Sequence, residues 1–198
     1  MLLFAALALG LEAQTPKTPA TCKVRLAEDF VPMTWTERAA DYVAGITGPG
    51  AVAFSAALAG ANQAADRPME WTGGEGFGLR LASAYGERLI GESVEHGMAF
   101  GLHQDNRYFG SGQHGFGRRL AYALESSVLA RRDNGSRTIS FSAIGGMAAG
   151  AFASHAWQPP STATVGGSMV QFGFGMGIRA AFDVMREFSP RFLGRVLQ

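Results

Sequence analysis

The chain has 198 residues, enough for one domain with its own core, yet only 17% are charged against 47% hydrophobic. A net charge of +1, with arginines interleaved among acids, supplies no field to draw nucleic acid, so a nucleic-acid partner is set aside. One cysteine, Cys22, excludes an internal disulfide, and 27 glycines are about double the usual share.

Met1 to Leu11 is an uncharged apolar run followed by Glu12-Ala13-Gln14, which predicts a secretory signal peptide over residues 1–13 with cleavage after Ala13. The run departs from the ideal in having no Lys or Arg before it and in placing Leu11 where a small residue is preferred. Residues 14–33, dotted with prolines and charges, read as a flexible linker, and 34–198 as a single helical domain. Thr34-Trp35-Thr36-Glu37 is a capping box that starts a helix near Trp35 and carries it to about Thr47, where Gly48-Pro49-Gly50 breaks it. An Ala-rich helix follows from Ala51 to Ala65, stopped by Asp66-Arg67-Pro68.

The longest periodic segment runs from about Glu75 to His103. At helical spacing Ala82, Gly86, Ser93, Gly97 and Gly101 share one face with Leu89, Ile90 and Phe100 beside it. Arg88, Glu92, Glu95, His96 and His103 take the opposite arc. This predicts an amphipathic helix whose small-residue face is buried against a neighbouring helix. After a Gly-rich loop, Gly110 to Gly117, a short helix is bounded by Arg118-Arg119 and Arg131-Arg132, and Asp133-Asn134-Gly135-Ser136 is a turn.

From Thr138 to Ile178 there is no Asp, Glu, Lys or Arg. Gly146-xxx-Gly150 and Gly173-xxx-Gly177 fall in the two arms of this span, and small residues four apart let helix backbones approach closely, as they do in membranes. The first arm is about long enough to cross a bilayer. Val170, Phe172, Phe174, Met176 and Ile178 alternate with Gln171 and glycines, which is a strand signal and raises a small outer-membrane β-barrel as the alternative. The return to helical spacing from Arg179 to Phe188 favours a helix.

No residue is singled out as catalytic. Gly-x-Ser-x-Gly does not occur, and Gly73-Gly74-x-Gly76-x-Gly78 lacks the Gly-Lys-Ser/Thr of a phosphate loop. Glu92 and His96 lie four apart, with His103 seven further on, a spacing from which carboxylate and imidazole can hold a divalent metal such as zinc. A solvated polar face accounts for the same residues. Gln104 to Phe109 reads as a polar turn in which Asp105 and Arg107 pair with each other or with the helix terminus, and Tyr108 anchors at an interface.

Gly48-Pro49-Gly50-Ala51, Asp66 to Trp71, Asp105 to Tyr108 and Arg186-Glu187-Phe188-Ser189-Pro190 resemble motifs of a family of exported bacterial proteins with no assigned activity. The likeness runs from about residue 34 to 192. Members of that family usually carry an acidic residue and a proline where this chain has Gln104 and Asn106. The resemblance implies export and one domain, and transfers no catalytic residue.

The expectation is therefore an all-α domain, a Gly/Ala-rich bundle of about six helices packed through small-residue faces at Gly86, Gly97, Gly101, Gly146, Gly150, Gly173 and Gly177. It is exported to the cell envelope, membrane-associated or periplasmic, with no cofactor. Its partners are a membrane and either a second copy or another envelope protein. A metal-dependent enzyme using Glu92, His96 and His103 is the alternative.

Overall fold

A computed structural model describes residues 25–188. The expected signal peptide, Cys22, residues 14–24 of the linker and the Ser189-Pro190 end of the last motif lie outside the described residues. The described chain is mostly helical: α1 (Trp35–Thr47), α2 (Pro49–Ala64), α3 (Gly73–Gly101), α4 (Phe116–Ser126), α5 (Phe141–Ala153) and α6 (Val165–Phe188). Only Gly48 separates α1 from α2, so the two run as one broken rod.

Local chemistry explains these boundaries. The Thr34 hydroxyl accepts from the Glu37 backbone N–H at 3.3 Å while the Glu37 carboxylate takes the Thr34 N–H at 2.8 Å, completing the capping box. Pro49 opens α2 at a position where no N–H is needed. His103 ends α3 in the left-handed region at φ 53°. Val170 to Ile178 lies within α6, so its alternation is not that of a strand.

The all-α expectation needs correcting at one place. β1 (Gln104–Asp105), β2 (Leu129–Arg132) and β3 (Arg137–Ile139) form an antiparallel three-stranded sheet in that order. Gln104 faces Arg132, and Leu129 faces Ile139. Arg131 and Arg132, expected at the end of a helix, lie on β2. The helix stops at Ser126 because Ser127 turns its hydroxyl back onto Leu124 O, and the Arg131 guanidinium then stacks over Phe30 and Phe109. Because β3 takes residues 137–139 and Ser140 caps α5, that helix is 13 residues long, about 20 Å, and too short to cross a bilayer alone.

α5 lies against α3 with almost no side chain between them. A Cβ built on Gly146 would sit 2.6 Å from both Gly91 O and Glu95 Cβ, and one on Gly150 would sit 2.7 Å from Glu87 O. Gly145 meets the Met98 sulfur in the same way. A Cβ on Gly86 would lie 3.6 Å from the Trp157 ring, an ordinary contact. At Gly97, Gly101, Gly173 and Gly177 an added Cβ would meet nothing within 4 Å, so these four expected packing glycines take no part in a close approach within the described residues. The seam follows instead the row of α3 that carries Glu87, Gly91 and Glu95.

That row is the polar one, so α3 is turned inside out relative to its expected orientation. Arg80, Ser83 and Ala84 are buried, while Leu79, Ala82, Leu89, Ser93, Gly97, Phe100 and Gly101 are exposed. The rest of the fold repeats the inversion. The largest fully buried side chains are Arg80, Gln104, Asp105 and five serines, and the buried hydrophobic residues are alanines plus Phe109. Outside stand Val52, Phe141, Met169, Val170 and Phe174, the last at 58% exposure. A protein folded in water buries its large apolar residues; here many of them stand outside, while Arg80, Asp105, Asp183 and Glu187 are buried and other charges remain at the surface.

Candidate functional site

The polar interior opens into a cleft of about 1820 Å³ between the α1–α2 rod, α3 and α6. α3 points Glu87, Arg88, Glu92, Glu95 and His96 at it, and α6 adds Arg179. Arg88 Nη2 lies 2.9 Å from Glu92 Oε1, and Arg88 Nε donates to Gly45 O at 2.9 Å, which ties α3 to α1. Tyr85 donates to Ile46 O at 2.7 Å nearby. His96 rests its ring beside Tyr42, with Nδ1 at 2.9 Å from Glu92 O and Nε2 at 3.5 Å from Asp41. Glu95 accepts from Arg179 Nη1 at 3.2 Å and from Asn106 Nδ2 at 2.8 Å. Glu87 accepts from Ser83 Oγ at 3.2 Å, from Gln158 Nε2 at 2.7 Å and from Gln171 Nε2.

One end of the cleft is closed by the turn after α3. Gln104 Oε1 accepts from the Ser142 N–H at 3.0 Å and its hydroxyl at 2.7 Å, serving as a side-chain cap for the start of α5. Asn106 takes the Ser140 hydroxyl at 2.7 Å and donates to Ser142 Oγ at 2.9 Å. Both departures from the resembled motif are thus structural joints between β1 and α5. Asp105, buried, holds the Arg107 guanidinium at 2.6–3.0 Å, so of the two pairings open to them they take each other. At the other end Arg80, fully buried, donates to Arg67 O, Gln63 Oε1, Trp71 O and Pro68 O at 2.7–2.9 Å, so one guanidinium fastens the whole α2–α3 connection.

Beyond the cleft, Glu187 joins α6 to α4. It accepts from Tyr108 at 2.7 Å, the Ser111 hydroxyl at 2.6 Å and Arg119 Nε at 2.8 Å. Burial alone would raise its pKa, but these donors outweigh it and leave the carboxyl below its ordinary value. The Tyr108 hydroxyl is pushed well up, first by burial and then by the carboxylate it donates to.

The proposed metal ligands do not converge. Glu92 and His96 meet each other and Asp41, whereas His103 Nδ1 lies 2.9 Å from Asp133 Oδ2, which also takes Arg38 through its other oxygen at 2.9 Å. Among the described residues no group of three or more His, Cys, Asp and Glu side chains is placed to hold a metal ion. His103 leaves the expected set because it lies past the helix end with a positive φ, off the face that carries Glu92 and His96.

The fold does bring together a pair that spacing did not reveal, Ser168 Oγ and His155 Nε2, at 2.6 Å. Nε2 also faces Thr164 O at 3.1 Å, and the serine hydroxyl faces Ala151 O at 2.9 Å. An imidazole nitrogen opposite a carbonyl carries its hydrogen, so His155 donates and does not act as a base toward Ser168. The pair fastens α5 to α6.

No family model matches the chain, and neither a curated protein nor a solved structure matches it.

Proposed function

We propose that the protein is an exported, membrane-embedded protein of the cell envelope. In this reading a helical bundle presents an apolar exterior to lipid and keeps a charged cleft inside. The observation that carries the reading is the inverted amphipathicity of α3. Its exposed side from Leu79 to Leu102 contains no charge, and at about 1.5 Å per residue it is about 35 Å long, close to the thickness of a bilayer's hydrocarbon core of about 30 Å. The exposed side of α6 from Val165 to Phe174 is likewise uncharged.

A window of hydropathy misses α3 because the average includes the polar residues turned inward. An 18-residue window within Trp35–Ala64 passes such a test, with mean hydropathy 1.4, and only 17% of that window is buried. A core helix of a water-soluble protein passes the same test while mostly buried; this one does not have that burial. Ion pairs and amide networks in the interior are the form in which membrane helices carry charge, and the tight glycine seam between α3 and α5 is the form in which they pack.

Fractionation of a bacterium expressing the chain, followed by an alkaline carbonate wash, tests the reading. Retention in the washed membrane pellet supports it. Release into the soluble periplasmic fraction refutes it and leaves the apolar exterior to be covered by a second copy or another envelope protein.

A further inference from the structure

Among the carboxylates that line the cleft, one has no basic partner within the described residues. Arg88 neutralises Glu92 at 2.9 Å and Arg179 neutralises Glu95 at 3.2 Å. His96 and Asp41 face each other across α1 and α3 at 3.5 Å. Glu87 is left over: among the described residues no Arg, Lys or His nitrogen lies within 4.0 Å of its carboxylate.

The groups facing Glu87 are neutral on every side. Ser83 comes from its own helix, Gln158 from the segment after α5, and Gln171 from α6. Trp157 Nε1 donates to Ser83 Oγ at 3.0 Å, which leaves the serine's own hydrogen for Glu87. The carboxylate thus receives two hydrogen bonds on Oε1 and one on Oε2, with one of its roughly four acceptor sites still open. Three donors aimed at a carboxyl favour its anion, while burial without a counter-charge favours the neutral acid, so the ionised form needs a partner. An anion so held, with no counter-charge in a low-dielectric interior, is stabilised by any cation that reaches it.

We propose that Glu87 binds the ammonium or guanidinium head of a small amphipathic cation that enters the cleft. Ser83, Glu87, Gln158 and Gln171 all line that space, and Phe54 and Leu58 give it an apolar wall suited to the rest of such a ligand. The inference rests on the cleft and holds whether lipid or protein covers the exterior.

The test uses the full chain purified in mild detergent and titrated calorimetrically with benzylammonium, with benzyl alcohol as the uncharged counterpart. Benzylammonium binds and benzyl alcohol does not. Glu87→Gln weakens binding by at least about tenfold, the loss of one charge-assisted contact. Glu87→Asp, which keeps the charge, retains part of the affinity. Glu70→Gln, outside the cleft, leaves it unchanged. Equal binding of the alcohol, undiminished binding by Glu87→Gln, or no binding by the wild type overturns the proposal. So does labelling of Glu87 by dicyclohexylcarbodiimide at pH 7 that saturating benzylammonium fails to suppress. Membrane retention is scored separately by fractionation, so either claim can fail without the other.

Discussion

Gly146→Ala and Gly97→Ala are the same chemical change on two helices, and the structure gives them opposite signs. At Gly146 the new methyl would lie 2.6 Å from Gly91 O and 3.0 Å from Glu95 N, both backbone atoms of α3 that cannot swing aside. The helices must separate by several tenths of an ångström along the seam, and overpacking of this kind costs about 1–3 kcal/mol. The gain in helix propensity, about 1 kcal/mol, offsets part of it. The net expectation for Gly146→Ala is destabilisation by up to about 2 kcal/mol. At Gly97 the methyl meets nothing within 4 Å, so only the propensity gain of up to about 1 kcal/mol remains. For a chain of this size the two variants should melt several degrees apart, at about 2–4 °C per kcal/mol, followed by circular dichroism at 222 nm in one detergent. If both shift the midpoint alike, or Gly97→Ala is the weaker protein, the α3–α5 seam is wrongly placed.

Arg80→Met removes the guanidinium that answers four acceptors of the α2–α3 connection. The expected cost is about 3 kcal/mol, seen as new chymotryptic cleavage after Trp71, and Arg80→Lys, with three donors for four acceptors, restores only part of the protection. Glu187 predicts a pH dependence. Because its folded pKa lies below the ordinary 4.5, its stabilising effect is complete above that value and is lost as pH falls through the lower folded pKa. The protection factors of α4 amides, corrected for the intrinsic exchange rate, should therefore fall as the pH drops below about 4.5, while Glu187→Gln is less protected at neutral pH and responds less to acid.

Much of the helical layout was legible because its signals are local. The capping box at Thr34 and the Gly48-Pro49 break depend on neighbours within four residues, and both stand where the sequence puts them. The Asp105–Arg107 pair is legible for the same reason, being two residues apart. The orientation of α3 was not legible, because a helical wheel identifies two faces without saying what surrounds the helix. Taking water as the outside assigned the charged arc to the surface, and the fold turns that arc into the cleft. Spacing marked Gly146 and Gly150, which do make the seam, but also Gly97 and Gly101, which do not, and it missed Gly91, which becomes visible only once α5 is laid on the Glu87–Glu95 row. The neutral shell around Glu87 joins residues 71 and 84 positions away, Gln158 and Gln171, beyond the reach of any local pattern.

The most direct test of the inverted exterior is the environment of single spin labels in liposomes, on a chain with Cys22 replaced by serine. Labels at Leu89→Cys and Phe174→Cys, on the exposed sides of α3 and α6, are expected to collide readily with oxygen and hardly at all with a water-soluble nickel chelate. A label at the exposed Arg118→Cys should show the opposite. If Leu89 and Phe174 are as open to the nickel complex as Arg118, the apolar exterior faces water or protein and the membrane account fails.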